Sequence, residues 1–187
     1  MEDYNEQEYQ NQKMEEISIK NQIDFLTTLY NREFFSLEVE KILKERLSHE
    51  TEQKSALFLL DLDFFKKAND TLGHIAGDEI LHKSGLVMKS IIRSTDLAGR
   101  LGGDEFVLFI KDAKDISAIQ ACAEKVNKAL HRTYGEGEKT VTVSVSIGIA
   151  VVTKEKTFSE LYKTADLALY EAKKQGRNGY YIISGDS

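Results

Sequence analysis

The chain has no proline and a single cysteine among its 187 residues, so it offers neither a Pro-rich linker between domains nor the means for an intrachain disulfide. Cys122, within Ile119-Gln120-Ala121-Cys122-Ala123, falls on the apolar face of a helical stretch and is read as core, which fits a reducing compartment. No apolar run reaches the ~20 residues that a bilayer-crossing helix needs. Residues 1–11 lack the apolar segment of a secretory signal, so the expected location is the cytoplasm. Basic side chains are also short in number, 25 against 31 acidic ones, for a net charge of −6. That balance argues against a nucleic-acid polymer as partner and leaves open a single nucleotide that brings its own metal. Present instead are 41% hydrophobic and 30% charged residues without internal repeats, a composition that supports one sizeable core with an appendage.

Residues 1–22 form the appendage, a polar leader or linker whose Met14 and Ile17 are spaced for a helix but are too few for a coiled coil. The domain itself spans 23–187. Asn31 is placed to cap a helix over residues 32 to about 48, with Phe35, Val39, Ile42, Leu43 and Leu47 on one stripe. The unbroken apolar run from Ser55 to Asp61 reads as a central strand covered on both sides. A short helix is predicted over 64–71, a break at Gly73, and a longer helix over 77–93. Two strands over 97–110 flank Gly102-Gly103, taken as the centre of a two-residue hairpin turn. A helix follows over 117–131, a turn over 134–137, and a long half-exposed strand over 140–152 whose alternate residues are Val141, Val143, Val145, Ile147 and Ile149. Thr157 and Glu160 make a capping box for a last helix that Gly176 ends, and 180–183 is a closing strand. Helices alternating with strands around a mid-chain hairpin indicate an α/β (α+β) protein with one mixed sheet flanked by helices.

Chemistry concentrates at the strand ends. Asp61 ends a buried strand and Asp104 and Glu105 sit at the hairpin tip, so neighbouring strands would gather three carboxylates on one edge, an arrangement that calls for a cation. Oxygen ligands without His or Cys favour Mg²⁺ or Mn²⁺ over zinc. Lys66 follows the first acid, and Lys173, Lys174 and Arg177 end the last helix. Acids around a metal with cations nearby suit phosphoryl transfer, although cations at a helix C-terminus also complement its dipole.

Several motifs then occur in order: Asp61-Leu62-Asp63-Phe64-Phe65-Lys66, Asn69-Asp70, Gly73-His74, Gly77-Asp78, Arg100-Leu101-Gly102-Gly103-Asp104-Glu105-Phe106, Ser146-Ile147-Gly148, and Ala172-Lys173 with Gly176-Arg177-Asn178. From about residue 24 to 183 the chain resembles a GGDEF domain of the diguanylate cyclase family. The resemblance implies a five-stranded sheet flanked by helices, related to the palm of adenylyl cyclases and polymerases. It implies condensation of two GTP molecules into cyclic di-GMP and two pyrophosphates by a homodimer whose hairpins face each other. Asp61, Asp104 and the Leu62 carbonyl would then bind the metal, with Asp104, Glu105 and Lys66 catalytic. Glu105 has two open roles, metal ligand or acceptor of the attacking 3′-hydroxyl proton. Asn69 and Asp78 match the guanine readers, and Lys66, Lys173 and Arg177 match phosphate contacts. Asp63 and His74 are read as structural, and Asp70 as a local cap or turn residue. Arg93-Ser94-Thr95-Asp96 matches an Arg-x-x-Asp inhibitory site for cyclic di-GMP. The alternative function is a catalytically inactive receptor that keeps the fold and binds cyclic di-GMP or GTP.

The family's opening Asp-x-Leu-Thr-Gly-Leu-x-Asn-Arg-Arg stands here as Asp24-Phe25-Leu26-Thr27-Thr28-Leu29-Tyr30-Asn31-Arg32-Glu33, so Thr28 replaces a glycine and Glu33 an arginine. The local turn is where that departure bears. Family members carry a sensory domain ahead of the cyclase, so a fragment of a longer protein, or one controlled by other means, is the expectation.

Overall fold

The computed structural model describes residues 22–47, 53–152 and 157–184, and most of the predicted leader lies outside them. Strand β1 (Tyr30–Asn31) runs into α1 (Arg32–Leu47), which Asn31 caps by accepting from the Phe34 N–H at 2.9 Å. Next come β2 (Lys54–Asp63), α2 (Phe65–Leu72), α3 (His74–Ile91), β3 (Leu97–Gly102) and β4 (Glu105–Ala113). The remainder is α4 (Ile116–Leu130), β5 (Arg132–Glu136), β6 (Lys139–Val151), α5 (Phe158–Lys174) and β7 (Gly179–Ile183). Among the described residues no helix is long and apolar enough to cross a membrane.

Five strands form the sheet proper in the order β3-β4-β2-β6-β7, antiparallel except for the parallel β6–β7 pair. Short β1 adds to β3 in parallel, and β5 pairs only with the first residues of β6. The mixed, helix-flanked sheet is thus the one expected, with two strands added to it. Tyr134-Gly135-Glu136, expected as a turn, is instead the second half of β5, and the chain reverses at Gly137-Glu138. Gly135 adopts φ 97° there, and with Arg132, Thr133 and Glu136 exposed, the partly buried Tyr134 alone is too little for a hydrophobicity pattern.

Two core layers cover the two faces of the sheet. Ala56, Phe58, Leu60 and Leu62 of β2 pack with Ala68, Ile80, Leu81, Met88, Ile119, Ala123 and Val126, so α2, α3 and α4 cover one side. Leu57 and Leu59 join Phe35, Val39, Leu43, Val107, Phe109, Leu161, Ala165 and Leu169, so α1 and α5 cover the other. From Val143 to Val151 every residue of β6 is buried, which corrects the half-exposed strand expected there: its small residues face α5 while its Val and Ile residues face α4. Gly148 shows how closely α5 approaches, because a Cβ there would lie 2.1 Å from the Ala165 carbonyl oxygen and 2.2 Å from the Leu169 nitrogen. That contact sets the height of the middle of α5 over the sheet. Helix α3 begins at His74 rather than at Gly77, with Gly73 as its N-cap at φ 88°. Cys122 is partly buried, as read from the sequence, and burial together with the charge of Asp96 pushes its thiol up to about 11.

Candidate active site

The face of the sheet under α1 and α5 changes from apolar to polar along its strands. On β2 it runs Leu57, Leu59, Asp61, Asp63; on β4, read the other way, Phe109, Val107, Glu105. Antiparallel register sets Asp61 opposite Glu105 on one side and opposite Ser146 on the other. Side chains on one strand face recur every second residue, so the pairing that buries the leucines also delivers the acids to one edge. Asp104 enters through the hairpin: its carbonyl accepts from the Leu62 N–H at 3.2 Å, which ties the turn to β2.

Gly102 pairs with Glu105, so the two central residues of the turn are Gly103 and Asp104, not Gly102 and Gly103. Gly103 has φ 53° and Gly102, next to a register shift, φ 140°, both outside the range of ordinary side chains. Arg100 fixes this turn by donating from Nε and Nη2 to the Gly103 carbonyl at 3.1 and 2.7 Å. Its Nη1 reaches the Asp24 carboxylate at 3.1 Å, and Asp24 also accepts from the Thr27 N–H and hydroxyl.

Cations close over the acids. Lys173 Nζ lies 2.9 Å from Asp61 Oδ2. Burial raises the Asp61 carboxyl above its ordinary value, Lys173 opposes that rise, and Asp104 and Asp63 add to it. Glu105 is raised by burial and by the charges of Asp61 and Asp104. Two carboxylates that hold their charge against burial and each other are stabilised by a cation. Among the described residues no three His, Cys, Asp or Glu side chains close around one point, so the acids share an edge without forming a three-carboxylate cage. The all-oxygen set of Asp61, Asp104 and the Leu62 carbonyl still fits a hard divalent cation.

Asp63, read from the sequence as structural, is 2% exposed and accepts from the Ser144 hydroxyl at 2.8 Å, the Ser146 hydroxyl at 2.7 Å and the Asn178 N–H at 3.0 Å. Arg177, half exposed, approaches it with Nε at 3.9 Å. Lys173 at Asp61 and Arg177 at Asp63 therefore stand over successive acids on one face of β2. Lys66 is exposed on α2. Asn69 and Asp78 lie on successive helices, and the Asn69 side chain crosses to α3 so closely that a Cβ on Gly77 would sit 1.8 Å from its Oδ1. Gly77, quoted above within the Gly77-Asp78 motif, thus leaves the room that the Asn69 side chain fills.

Arg93 and Asp96 stand apart from the acid edge and pair with each other, Nε to Oδ2 at 3.3 Å. Asp96 is buried and also accepts from the N–H groups of Arg93 and Lys111, both at 2.9 Å, while the Arg93 side chain stays more than half exposed.

The mixed sheet thus carries an acidic hairpin tip beside a strand-end aspartate, with cations of the last helix and the turn after it close by. The chain matches the family described as Diguanylate cyclase, GGDEF domain, over residues 21–179, and it belongs to that family. Diguanylate cyclase DgcS of Shewanella oneidensis is 36% identical over 168 residues, covering 90% of this chain and 55% of that protein. Response regulator PleD of Caulobacter vibrioides is 38% identical over 159 residues, covering 83% of this chain and 34% of its own length. The chain therefore spans about half or less of these relatives. The crystal structure of the coiled coil and GGDEF domain of DgcB from Caulobacter crescentus, in complex with c-di-GMP, superposes with a TM-score of 0.89 at 25% identity, covering 97% of this chain and 96% of that one. The GGDEF domain of TpbB (YfiN) from Pseudomonas aeruginosa gives a TM-score of 0.77 at 31% identity over 86% of this chain and 93% of that one. Relatives named for the activity are enzymes, and the family generally uses a divalent metal.

Proposed function

We propose that this chain is the catalytic domain of a diguanylate cyclase, joining two GTP molecules into cyclic di-GMP with release of two pyrophosphates. The observation that carries this reading is Asp61 set opposite Glu105 with Lys173 Nζ 2.9 Å away, a pairing of acids and a cation at one strand edge. Asp61, Asp104 and the Leu62 carbonyl would hold a divalent metal, which when bound would offset the charge of the triphosphate and polarise its α-phosphorus. Glu105, opposite Asp61 and next to Asp104 at the hairpin, either accepts the proton of the attacking 3′-hydroxyl or adds a ligand to the metal. The 3′-oxygen forms its bond to the α-phosphorus as the bond to pyrophosphate breaks, and Lys66, Lys173 and Arg177 stabilise the charge that grows on the leaving group. Asn69 and Asp78 select guanine, a carboxylate accepting from both N1–H and N2–H₂ where adenine offers no such pair.

Each chain holds one GTP, so the ring closes only when two chains face each other as a homodimer with hairpins opposed. Specific activity then falls steeply on dilution, and constant activity far below the dimer dissociation constant would contradict the arrangement. Product inhibition is assigned to Arg93 and Asp96, with the exposed guanidinium as the main handle, since a guanine edge at Asp96 must compete with the internal donors already there. Arg93→Ala should keep the initial rate and lose tight cyclic di-GMP binding. The experiment that tests the catalytic assignment is Asp104→Asn, which should abolish product while the melting temperature is retained. Near-wild-type turnover of that variant would remove Asp104 from the site.

A further inference from the structure

We propose that Asp63 is a positioning residue of this site, holding the turn after α5 in the one conformation that places Arg177 beside Lys173 and Asp61. The inference rests on the cyclase reading, in which Arg177 contacts the triphosphate.

The turn is unusual in its backbone. Gly176, Arg177 and Asn178 take φ values of 113°, 65° and 47° in succession, so two residues with side chains sit in the left-handed region. Asparagine tolerates that region and arginine gains nothing from it, so such a run persists only where surrounding contacts over-determine it. Those contacts are present on three sides. Toward the helix, the Arg177 N–H donates to the Ala172 carbonyl at 3.2 Å and the Gly176 N–H to the Lys173 carbonyl at 3.3 Å. Toward α4, the Asn178 Oδ1 meets His131 Nδ1 at 3.1 Å and accepts from Asn127 Nδ2 at 3.4 Å. Toward the sheet, the Asn178 N–H donates to Asp63 Oδ2 at 3.0 Å.

Asp63 is what joins the turn to the catalytic strand. Two serine hydroxyls on β6 and one backbone N–H from the turn fill its buried carboxylate, and Arg177 supplies the nearby positive charge. A neutral side chain could close the end of the sheet with the same two serines. A carboxylate in that place additionally attracts the half-exposed Arg177 guanidinium across 3.9 Å, which biases the side chain toward the strand end. Asp61 and Asp63 share one face of β2, so the strand that carries the metal-binding acid also fixes the phosphate-binding arginine.

The test compares wild type, Asp63→Asn, Arg177→Ala and the double variant. It reads affinity for a non-hydrolysable GTP analogue with Mg²⁺, and KM and kcat for GTP. Asp63→Asn should weaken analogue affinity by about tenfold and lower both kcat and kcat/KM for GTP, because Arg177 also meets the charge that grows on the leaving group. The double variant should be no worse than Arg177→Ala alone, because Asp63 acts through Arg177. Unchanged analogue affinity in Asp63→Asn, or effects of the two substitutions that multiply, would overturn the inference. Should Asp63→Asn not fold, Asn178→Gly keeps the N–H to Asp63 and frees the turn; weaker binding at an unchanged melting temperature supports positioning, and unchanged binding refutes it. A wild type that binds the analogue but makes no cyclic di-GMP removes the cyclase reading alone. One that does not bind the analogue removes both.

Discussion

Lys173 Nζ lies 2.9 Å from Asp61 Oδ2, so a cation on the last turn of α5 covers the acid that faces Glu105 across the β2–β4 pair. The pair is partly exposed, and an ion pair of that kind contributes about 1 kcal/mol or less. Its larger effect is competition, because the lysine occupies the carboxylate that a metal would take. Lys173→Met keeps the apolar stem and removes the charge. We expect the variant to lose about tenfold or more in cyclase activity, and its melting temperature to rise more on adding Mg²⁺ than that of wild type. Equal Mg²⁺-induced shifts in both proteins would show that Lys173 does not compete for the site.

Thr28 stands where the family motif has glycine, and its φ is 59°. A β-branched residue in the left-handed region costs about 1–2 kcal/mol, against which a glycine adds about 0.5–1 kcal/mol of unfolded-state entropy. Thr28→Gly should therefore stabilise the protein by roughly 0.5–1 kcal/mol, or about 2 °C in melting temperature for a chain of this size. Calorimetry showing no gain would mean that the turn, held by the Thr28 N–H to the Asp24 carbonyl at 2.8 Å and by Lys89 at the Thr28 carbonyl, is relaxed as it stands.

Much of the sheet was legible because parity along an apolar run fixes which residues share a face. The run that ends at Asp61 and the hairpin strand that begins at Glu105 had to align if their leucines, valines and phenylalanines were to be buried together. The same logic failed for β5, where exposed polar residues and Gly135 carry no burial signal, and for the buried second face of β6, whose small residues are explained only by the closeness of α5. Asp63 was legible as structural, but its link to Arg177 was not. Its partners Ser144, Ser146 and Asn178 are more than 80 residues away along the chain, and the left-handed backbone at Arg177 belongs to a residue type that does not predict it.

Asp24 links the first turn to Arg100 and so to the hairpin. Burial alone would raise its carboxyl, yet hydrogen bonds from Thr27 and the charge of Arg100 prevail and hold it below the ordinary value of 3.8. A depressed folded-state pKa contributes stability that is fully present above the unfolded value and is lost as pH falls through the folded one. The melting-temperature gap between wild type and Asp24→Asn should therefore be constant above about pH 5 and shrink below 3.8. A gap that widens on acidification would contradict the assignment of the shift to the ionised carboxylate.

Gly77 leaves room for the Asn69 side chain, whose Oδ1 would be 1.8 Å from an added Cβ. That oxygen is the end of a flexible side chain, so Gly77→Ala should fold and displace the amide. The expected result is a KM for GTP raised about tenfold with weaker discrimination against ATP, since an unpaired polar edge costs about 1–3 kcal/mol. Unchanged base preference and KM would exclude Asn69 from guanine recognition.

The most direct measurement of the central claim is to incubate the purified wild-type chain with GTP and Mg²⁺ at a concentration that favours the dimer and to identify the products by chromatography and mass. Cyclic di-GMP and pyrophosphate appearing together, two pyrophosphates for each cyclic dinucleotide, is the predicted result. GTP recovered intact from a folded, dimeric chain that binds added cyclic di-GMP would contradict it and identify a receptor that has kept the cyclase fold.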